Sequence, residues 1–205
     1  MMKKMMMIAA MMAATLSANA QNQEAGNMYV KPMVGATLST ITGEHADNAK
    51  MKIGLVGGAE FGYHVTNQFA LTGGLLVSMQ GSKMEDTQLW RDFKTTLTYL
   101  NVPIMANYYI VKGLAIKAGI QPGFMLSLKG KGQAMDDFGW KDYESTSTED
   151  AKKFDLSIPM GLSYEFNDFV IDARYNLGLL SINKDSNLKQ KNGVIMVTLG
   201  YKIPL

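Results

Sequence analysis

A regular alternation of apolar and polar residues in two adjacent segments is the feature that most constrains the fold. Successive side chains of a β-strand point to opposite faces, so such a segment can be sorted by parity. In residues 154–166 and 169–178 one face is apolar throughout, and the other is polar or small. Only Asn167 and Asp168 separate the segments, which suffices for a tight hairpin turn. Strands of this length with one apolar face are typical of a transmembrane β-barrel, apolar towards lipid and polar inside.

The same parity test predicts eight strands along the chain. Besides these two, it gives strands at 28–40, 51–64, 69–81, 96–110 and 114–128, and a last one that contains 195–203. The connections alternate between long and short, and the longest runs over 129–152. Bacterial outer-membrane barrels have short periplasmic turns and longer extracellular loops. We therefore predict an all-β, eight-stranded antiparallel up-and-down barrel in the bacterial outer membrane.

The first twenty residues have the composition of a secretory signal peptide. Lys3 and Lys4 precede an apolar stretch at 5–16, and Ala18-Asn19-Ala20 forms an A-x-A cleavage pattern. A bilayer-spanning helix needs about 20 apolar residues, so this stretch is too short to span. We predict a cleavable signal peptide at 1–20, followed by one outer-membrane β-barrel domain at 21–205.

The charges within the predicted strands all lie on the polar face. Four basic and four acidic residues are assigned to this face: Lys31, Lys117, Arg174, Lys202, Glu60, Asp155, Glu165 and Asp172. The interior of an eight-stranded barrel is just wide enough for side chains to fill it. Buried charges are costly unless they are paired, so we interpret these eight as a network that plugs the lumen.

Composition excludes several other kinds of site. The chain has 20 basic and 18 acidic residues, and removal of Lys3 and Lys4 leaves a net charge of zero. No basic field for nucleic acid therefore remains. The chain has no cysteine, so neither a disulfide framework nor a thiolate metal site is available.

A soluble eight-stranded barrel of the lipocalin type is the rival architecture. Its exterior would be wet and would carry many lysines and glutamates. Here the polar face is instead rich in glycine and sparsely charged. A charge facing lipid at the middle of a bilayer costs about 2–4 kcal/mol, which explains why one face of every strand carries none. The pattern thus favours the membrane barrel.

Several stretches resemble the PorT-type outer-membrane β-barrel proteins that are common in Bacteroidetes. They are Tyr-Leu-Asn-Val-Pro-Ile at 99–104, Gly-Leu-Ala-Ile-Lys-Ala-Gly at 113–119, Ala-Arg-Tyr-Asn-Leu-Gly at 173–178, and Gly-Leu-Leu-Val-Ser at 74–78 with Gln-Gly at 80–81. The resemblance implies an eight-stranded barrel in the outer membrane, often without an assigned activity. It also implies a link to protein secretion, through the founding member.

Catalytic residues are scarce. The chain contains two histidines: His45 lies beside Glu44 and Asp47 in the first long loop, and His64 lies at the end of the second strand. A loop histidine next to carboxylates can polarise a water, but it is more often a solvated residue. We predict that the protein is not an enzyme and needs no cofactor.

The long loops carry two further groups of interest. The acidic group comprises Asp136, Asp137, Asp142, Glu144, Glu149 and Asp150, and its spacing matches no EF-hand. Solvated loop charge is the simplest interpretation, and a site for Ca²⁺ or for the cations that bridge lipopolysaccharide is the alternative. The aromatic group comprises Trp90, Phe93, Phe138, Trp140 and Tyr143. These side chains form either an interfacial girdle or a surface for a partner.

We therefore predict a monomeric barrel with a filled lumen and a structural or interaction role. Its partners would be outer-membrane lipid and lipopolysaccharide, with an envelope protein as a further candidate. Two alternatives stay open. One is a secretion-accessory or ligand-binding barrel that acts through its long loops, and the other is a narrow pore for small solutes.

Overall fold

The computed structural model describes residues 24–43, 49–84, 90–136, 139–146, 151–182 and 190–205. Outside these ranges lie the predicted signal peptide and several predicted loop residues, namely Glu44, His45, Asp47, Asp137, Phe138, Glu149 and Asp150. Trp90 and Asp136 are described by their backbone alone. Within the described ranges no helix has the length and apolar character needed to cross a bilayer.

The described chain forms a closed antiparallel β-sheet. Its strands are β1 Met28–Gly43, β2 Ala49–His64, β3 Phe69–Met84, β4 Trp90–Asn101, β5 Ile104–Val111, β6 Leu114–Asp136, β7 Gly139–Thr146, β8 Phe154–Phe166, β9 Phe169–Gly178, β10 Gln190–Tyr201 and β11 Ile203–Pro204. Strand β1 pairs with β10 and thereby closes the sheet. Strands β4 and β5 lie end to end between β3 and β6, so the ring contains eight strands. The predicted eight-stranded up-and-down barrel is confirmed.

The apolar faces point outward, as the parity test predicted. On β9 the side chains alternate strictly between exposed and buried, and the exposed set is apolar. Ile53 and Leu75 on neighbouring strands are 69% and 59% exposed, values that only a lipid-facing surface explains for side chains of this kind. The exposed apolar residues form a continuous band, which we call the lipid belt.

One end of the barrel carries the short turns and the described termini, and we call it the turn end. The other end carries the long connections and is the loop end. Aromatic side chains are exposed at the turn end: Tyr63, Tyr108, Phe166, Phe169 and Tyr201. The rings of Phe169 and Tyr201 meet at 5.2 Å. These residues occupy the level of an interfacial girdle at the turn end.

The predicted fourth strand is interrupted, and the prediction of one continuous strand over 96–110 was wrong. Val102 and Pro103 separate β4 from β5. A proline has no N–H group with which to continue a ladder. Other backbone groups at the break remain hydrogen-bonded. The Val102 N–H donates to the Pro122 carbonyl at 2.8 Å, and the Pro103 carbonyl accepts from the Gly74 N–H at 3.0 Å.

The prediction that 129–152 is a loop was also wrong. Strand β6 runs for 23 residues to Asp136, and β7 returns beside it from Asp136↔Gly139 to Lys129↔Thr146. We call residues 129–146 the hairpin arm. Parity missed the arm because neither face is apolar here: Lys129, Lys131 and Gln133 alternate with Gly130, Gly132 and Ala134. Beyond the membrane no face of a strand must be apolar, so the signal disappears.

Candidate functional site: the filled lumen and the hairpin arm

Five charged side chains meet inside the barrel, and we call them the ion cluster: Lys31, Glu60, Lys117, Asp172 and Arg174. All are buried. Arg174 Nη2 lies 2.8 Å from Glu60 Oε1, and Arg174 Nε lies 2.7 Å from Asp172 Oδ1. Lys31 Nζ lies 2.8 Å from Glu60 Oε2, and Lys117 Nζ contacts Asp172. Each carboxylate thus has more than one cationic partner.

Strand register places these charges together. Lys31 on β1 is the direct cross-strand partner of Glu60 on β2, so their side chains leave the sheet on the same face. Asp172 and Arg174 are two residues apart on β9 and therefore also share a face. The planar guanidinium of Arg174 presents several N–H donors in a fixed geometry, which lets one side chain join two carboxylates. The cluster holds three cations and two carboxylates.

A second group closes the lumen at the turn end. Lys202 Nζ lies 2.6 Å from Glu165 Oε1, and the Tyr109 hydroxyl donates to the same oxygen at 2.6 Å. Lys202 Nζ also lies 4.2 Å from the centre of the Tyr29 ring, in cation–π geometry. His64 packs between the two tyrosine rings, 5.4 Å from Tyr109 and 5.7 Å from Tyr29. The turn end is therefore filled by aromatic rings around one ion pair.

Asp155 stands apart from both groups. Its Oδ2 accepts from Asn192 Nδ2 at 3.2 Å, its Oδ1 accepts from the Leu156 N–H at 2.8 Å, and no cation of the described chain pairs with it. It lines a small polar cavity with Gln80, Asn101, Gln121, Ser157, Asn176 and Asn192. The eight predicted charges therefore do not form one network: five make up the ion cluster, Lys202 and Glu165 pair at the turn end, and Asp155 is bound by amide N–H groups. Parity gives the face of each charge but not its height along the barrel axis.

Sequence analysis also missed one inward-facing charge. Lys52 on β2 is 8% exposed, and its Nζ donates to the Gln80 carbonyl at 3.4 Å. It pairs across the sheet with Ser39, which is 1% exposed and thus faces the lumen. The sequence did contain a signal for this orientation. Lys52 lies within the predicted strand at 51–64, and it has the same even parity as the inward-facing Gly54 and Glu60.

An apolar group closes the loop end: Leu97, Tyr99, Met125, Ala151 and Ile182 are all buried against one another. The inward residues of β6 show the resulting order along the lumen. Ala115 belongs to the turn-end layer, Lys117 to the ion cluster, Gln121 to the polar cavity and Met125 to the apolar layer. The lumen is thus filled by four successive layers.

The loop aromatics do not form one surface among the described residues. Phe93 stacks on Tyr143 at 6.5 Å and covers Gly132, where an added Cβ would lie 2.8 Å from the Phe93 ring. Trp140 instead lies under the guanidinium of Arg91, at 4.3 Å. Gly132 pairs with Tyr143 and Met135 pairs with Trp140, so the two aromatic groups occupy opposite faces of the arm.

The acidic residues of the arm are engaged locally. Asp142 Oδ1 accepts from Gln133 Nε2 at 2.9 Å, and Glu144 Oε1 lies 3.0 Å from Lys131 Nζ. In the described part of the chain, no group of three or more His, Cys, Asp or Glu residues is arranged to hold a metal ion. The geometry offers the arm two chemical features, a cation–aromatic face and a glycine-lined aromatic face.

Because the ion cluster holds more cations than carboxylates, we expect loss of a carboxylate to destabilise the barrel more than loss of a lysine. Asp172→Asn leaves three cations around one carboxylate, and breaking a buried pair in this way costs about 3–5 kcal/mol. Lys31→Met leaves two cations and two carboxylates, so we expect a clearly smaller loss. Urea unfolding of the two variants and the wild type in lipid vesicles measures both free energies. An equal or larger loss for Lys31→Met would contradict this charge balance.

Comparison with known proteins places the fold. The sequence profile of a family described as "Outer membrane protein beta-barrel domain" matches residues 19–184. Ail of Yersinia pestis, solved with the heparin analogue sucrose octasulfate, has 19% identity and a TM-score of 0.50, with 87% of this chain and 99% of that chain covered. Neisserial surface protein A has 14% identity and a TM-score of 0.50, with 86% and 97% covered. No curated protein sequence matches the chain.

Proposed function

The chain belongs to the outer membrane protein β-barrel domain family and is an integral protein of the bacterial outer membrane, and from that premise we propose a specific role. It is a closed structural barrel that does not conduct and that presents its hairpin arm to partners outside the cell. The filled lumen is the observation that carries this proposal. The protein's contribution then lies on its outer surfaces, the lipid belt and the arm.

The layered lumen argues against a narrow pore. An ion or solute would have to pass the apolar layer of Leu97 and Met125, then the ion cluster, then the ring of Tyr29 and Tyr109. Arg174 is 2% exposed and is held by two carboxylates, so it cannot swing aside without leaving charges unpaired. Such an arrangement favours stability over transport.

The arm carries the features of an interaction surface. It projects from the loop end, and Arg91 of the adjacent strand β4 lies over the ring of its Trp140. Tryptophan and arginine are the residues most enriched at the energetic centres of protein interfaces. We propose an envelope protein or the membrane surface itself as the partner, with the protein acting as a monomer. Among the predicted loop aromatics, we propose Trp140, together with the adjacent Arg91, as the residue that contacts the partner.

The described residues support a non-enzymatic role. His64 packs between Tyr29 and Tyr109 inside the barrel, where it fills space beside an ion pair. A general base needs a position from which it reaches a substrate proton, and this histidine is 2% exposed. His45 lies outside the described residues, so this argument rests on the lumen.

A PorT-type, secretion-accessory role is the finer proposal within the family. The stretches that resemble PorT-type proteins map to β3, to the junction of β4 and β5, to β6 and to β9, so they specify the barrel wall. A secretion role would then use the arm, because the closed lumen offers no path for a polypeptide. The two proposals share one surface and differ in the identity of its partner.

The first twenty residues are proposed to be removed during export, and the mature domain to begin at Gln21. We expect intact mass measurement of protein isolated from outer membranes to give the mass of residues 21–205. A mass that includes residues 1–20 would contradict cleavage.

A closed lumen predicts the absence of single-channel activity. We expect purified protein inserted into planar bilayers to show no stepwise conductance in concentrated KCl, while a sixteen-stranded porin reconstituted in parallel conducts. The same sample should migrate faster on a gel unboiled than boiled, which shows that the barrel is folded. Discrete conductance steps from folded protein would contradict the closed lumen.

The role of the arm can be tested without disturbing the barrel. Deleting residues 133–142 and joining Gly132 to Tyr143 through Asn-Gly keeps the Lys131–Glu144 pair and all layers of the lumen. We expect this variant to keep its heat-modifiable migration and its melting temperature. A photo-reactive phenylalanine analogue at position 140 should cross-link to an envelope partner in whole cells. The same analogue at position 112, at the turn end, is the matched control, and equal products from both positions would contradict the proposal.

A further inference from the structure

Three lysines lie in one register across three neighbouring strands, and we call them the lysine row: Lys83, Lys94 and Lys131. Lys83 of β3 pairs with Lys94 of β4, which pairs with Lys131 of β6. Residues paired in this way share a face, with Cβ atoms about 5 Å apart, and like charges directly opposite destabilise a sheet. Two consecutive pairings of this kind destabilise the sheet, and an anion lying among the ammonium groups would offset that cost.

The row faces outward on β3, β4 and β6. Leu128 packs against the inner apolar layer, and Gly130 is likewise buried, so Lys129 and Lys131 point to the opposite side. Lys94 pairs with Lys131 and therefore shares its outward face. Lys129 is exposed two residues below Lys131 and extends the positive charge towards the lipid belt.

The row lies just beyond the edge of the lipid belt. Lys129 follows the exposed Leu126 by three residues, and Lys83 follows the exposed Met79 by four. With a rise of about 3.3 Å per residue and a tilt of about 45°, these lysines begin about 7–10 Å beyond the last lipid-facing side chains. This is the headgroup level, and a lysine stem can extend along an apolar surface while its ammonium stays at that level.

The charges of the row are only weakly neutralised by the protein. Lys131 lies 3.0 Å from Glu144, and Lys94 lies 3.5 Å from Asp92, but the side chains of these pairs are 43–77% exposed. Ion pairs at such exposure contribute little and are easily exchanged. Lys83 has no carboxylate partner in the described part of the chain. At the turn end, by contrast, the exposed lysine among the described residues is Lys112.

We propose that the lysine row binds the phosphate groups of lipopolysaccharide in the outer leaflet. Phosphate supplies several acceptor oxygens that can bridge ammonium groups on neighbouring strands. A membrane lipid fits better than a soluble anion because the lipid belt continues directly below the row and accommodates its acyl chains. The inference deepens the lipid contact within the proposed function. It does not depend on the closed lumen or on the partner of the arm.

The test compares lipid binding of full-length barrels in a zwitterionic detergent. The probes are lipid A with two phosphates, the same lipid after dephosphorylation, and inorganic phosphate. In native mass spectrometry we expect the wild type to retain the diphosphorylated lipid. The triple variant Lys83→Gln, Lys94→Gln and Lys131→Gln should bind it about tenfold more weakly or worse, the loss expected from one or more charge-assisted hydrogen bonds.

Two controls separate a site from general attraction of charge. The triple substitution of the same lysines by arginine should keep the affinity, and Lys112→Gln should leave it unchanged. Without lipid, the glutamine triple variant should melt at the same temperature as the wild type or higher, because like charges have been removed. With the diphosphorylated lipid, the wild type should melt higher than the variant.

Three results would overturn the assignment. They are equal binding of the glutamine triple variant, equal binding of dephosphorylated lipid, and a loss in Lys112→Gln as large as in the triple variant. Saturation by inorganic phosphate at the affinity of the lipid would also overturn it, since the row would then hold a soluble anion. None of these outcomes bears on conductance or on the arm, so the proposed function would stand independently.

Discussion

Closure of the sheet by β1 and β10 is the constraint on which the rest of the structure depends. A bilayer core offers no water to backbone N–H and C=O groups, so an open edge there would leave a row of them unpaired. The pairing of residues 33–43 with residues 190–200 removes that edge. With eight strands in the ring, the enclosed space is only as wide as the side chains that fill it. Closure therefore determines both the apolar exterior and the crowded interior.

Closure forces many polar side chains into a narrow interior, where each of them needs a partner. Every second residue of each strand must enter a narrow space, and many of these residues are polar. The charged side chains are the most costly to bury, and the ion cluster pairs them in two ways. Lys31 and Glu60 are cross-strand partners, whereas Asp172 and Arg174 lie two residues apart on one strand. The polar cavity beside Asp155 uses amides instead. Charge and amide layers are thus alternative ways of filling the same cylinder.

How much the sequence predicts depends on where the membrane imposes a pattern. Within the lipid belt, alternation predicted the strands, their faces and their closure, except for the break at Val102 and Pro103, and β8 and β9 end at the predicted residues. Beyond the belt, the arm has Lys and Gly in alternation and gave no signal. Pairings in the lumen were not predictable either. Parity assigned Asp155 to the correct face, but its distance from Arg174 depends on register and height, which arise only when eight strands are assembled.

The lysines of this protein show how one side chain takes opposite roles on the two faces of a single sheet. Lys31 and Lys117 are buried, and register brings each of them to carboxylates. On the outer face the same regular pairing brings Lys83 beside Lys94, with no carboxylate of the sheet between them. Strand pairing fixes the positions of these lysines but does not match each of them with a carboxylate. The exposed pairs with Asp92 and Glu144 neutralise the outer row only in part, so an anion from outside the chain can add counter-charge. The headgroup level of the outer leaflet is the place where phosphate can supply that charge.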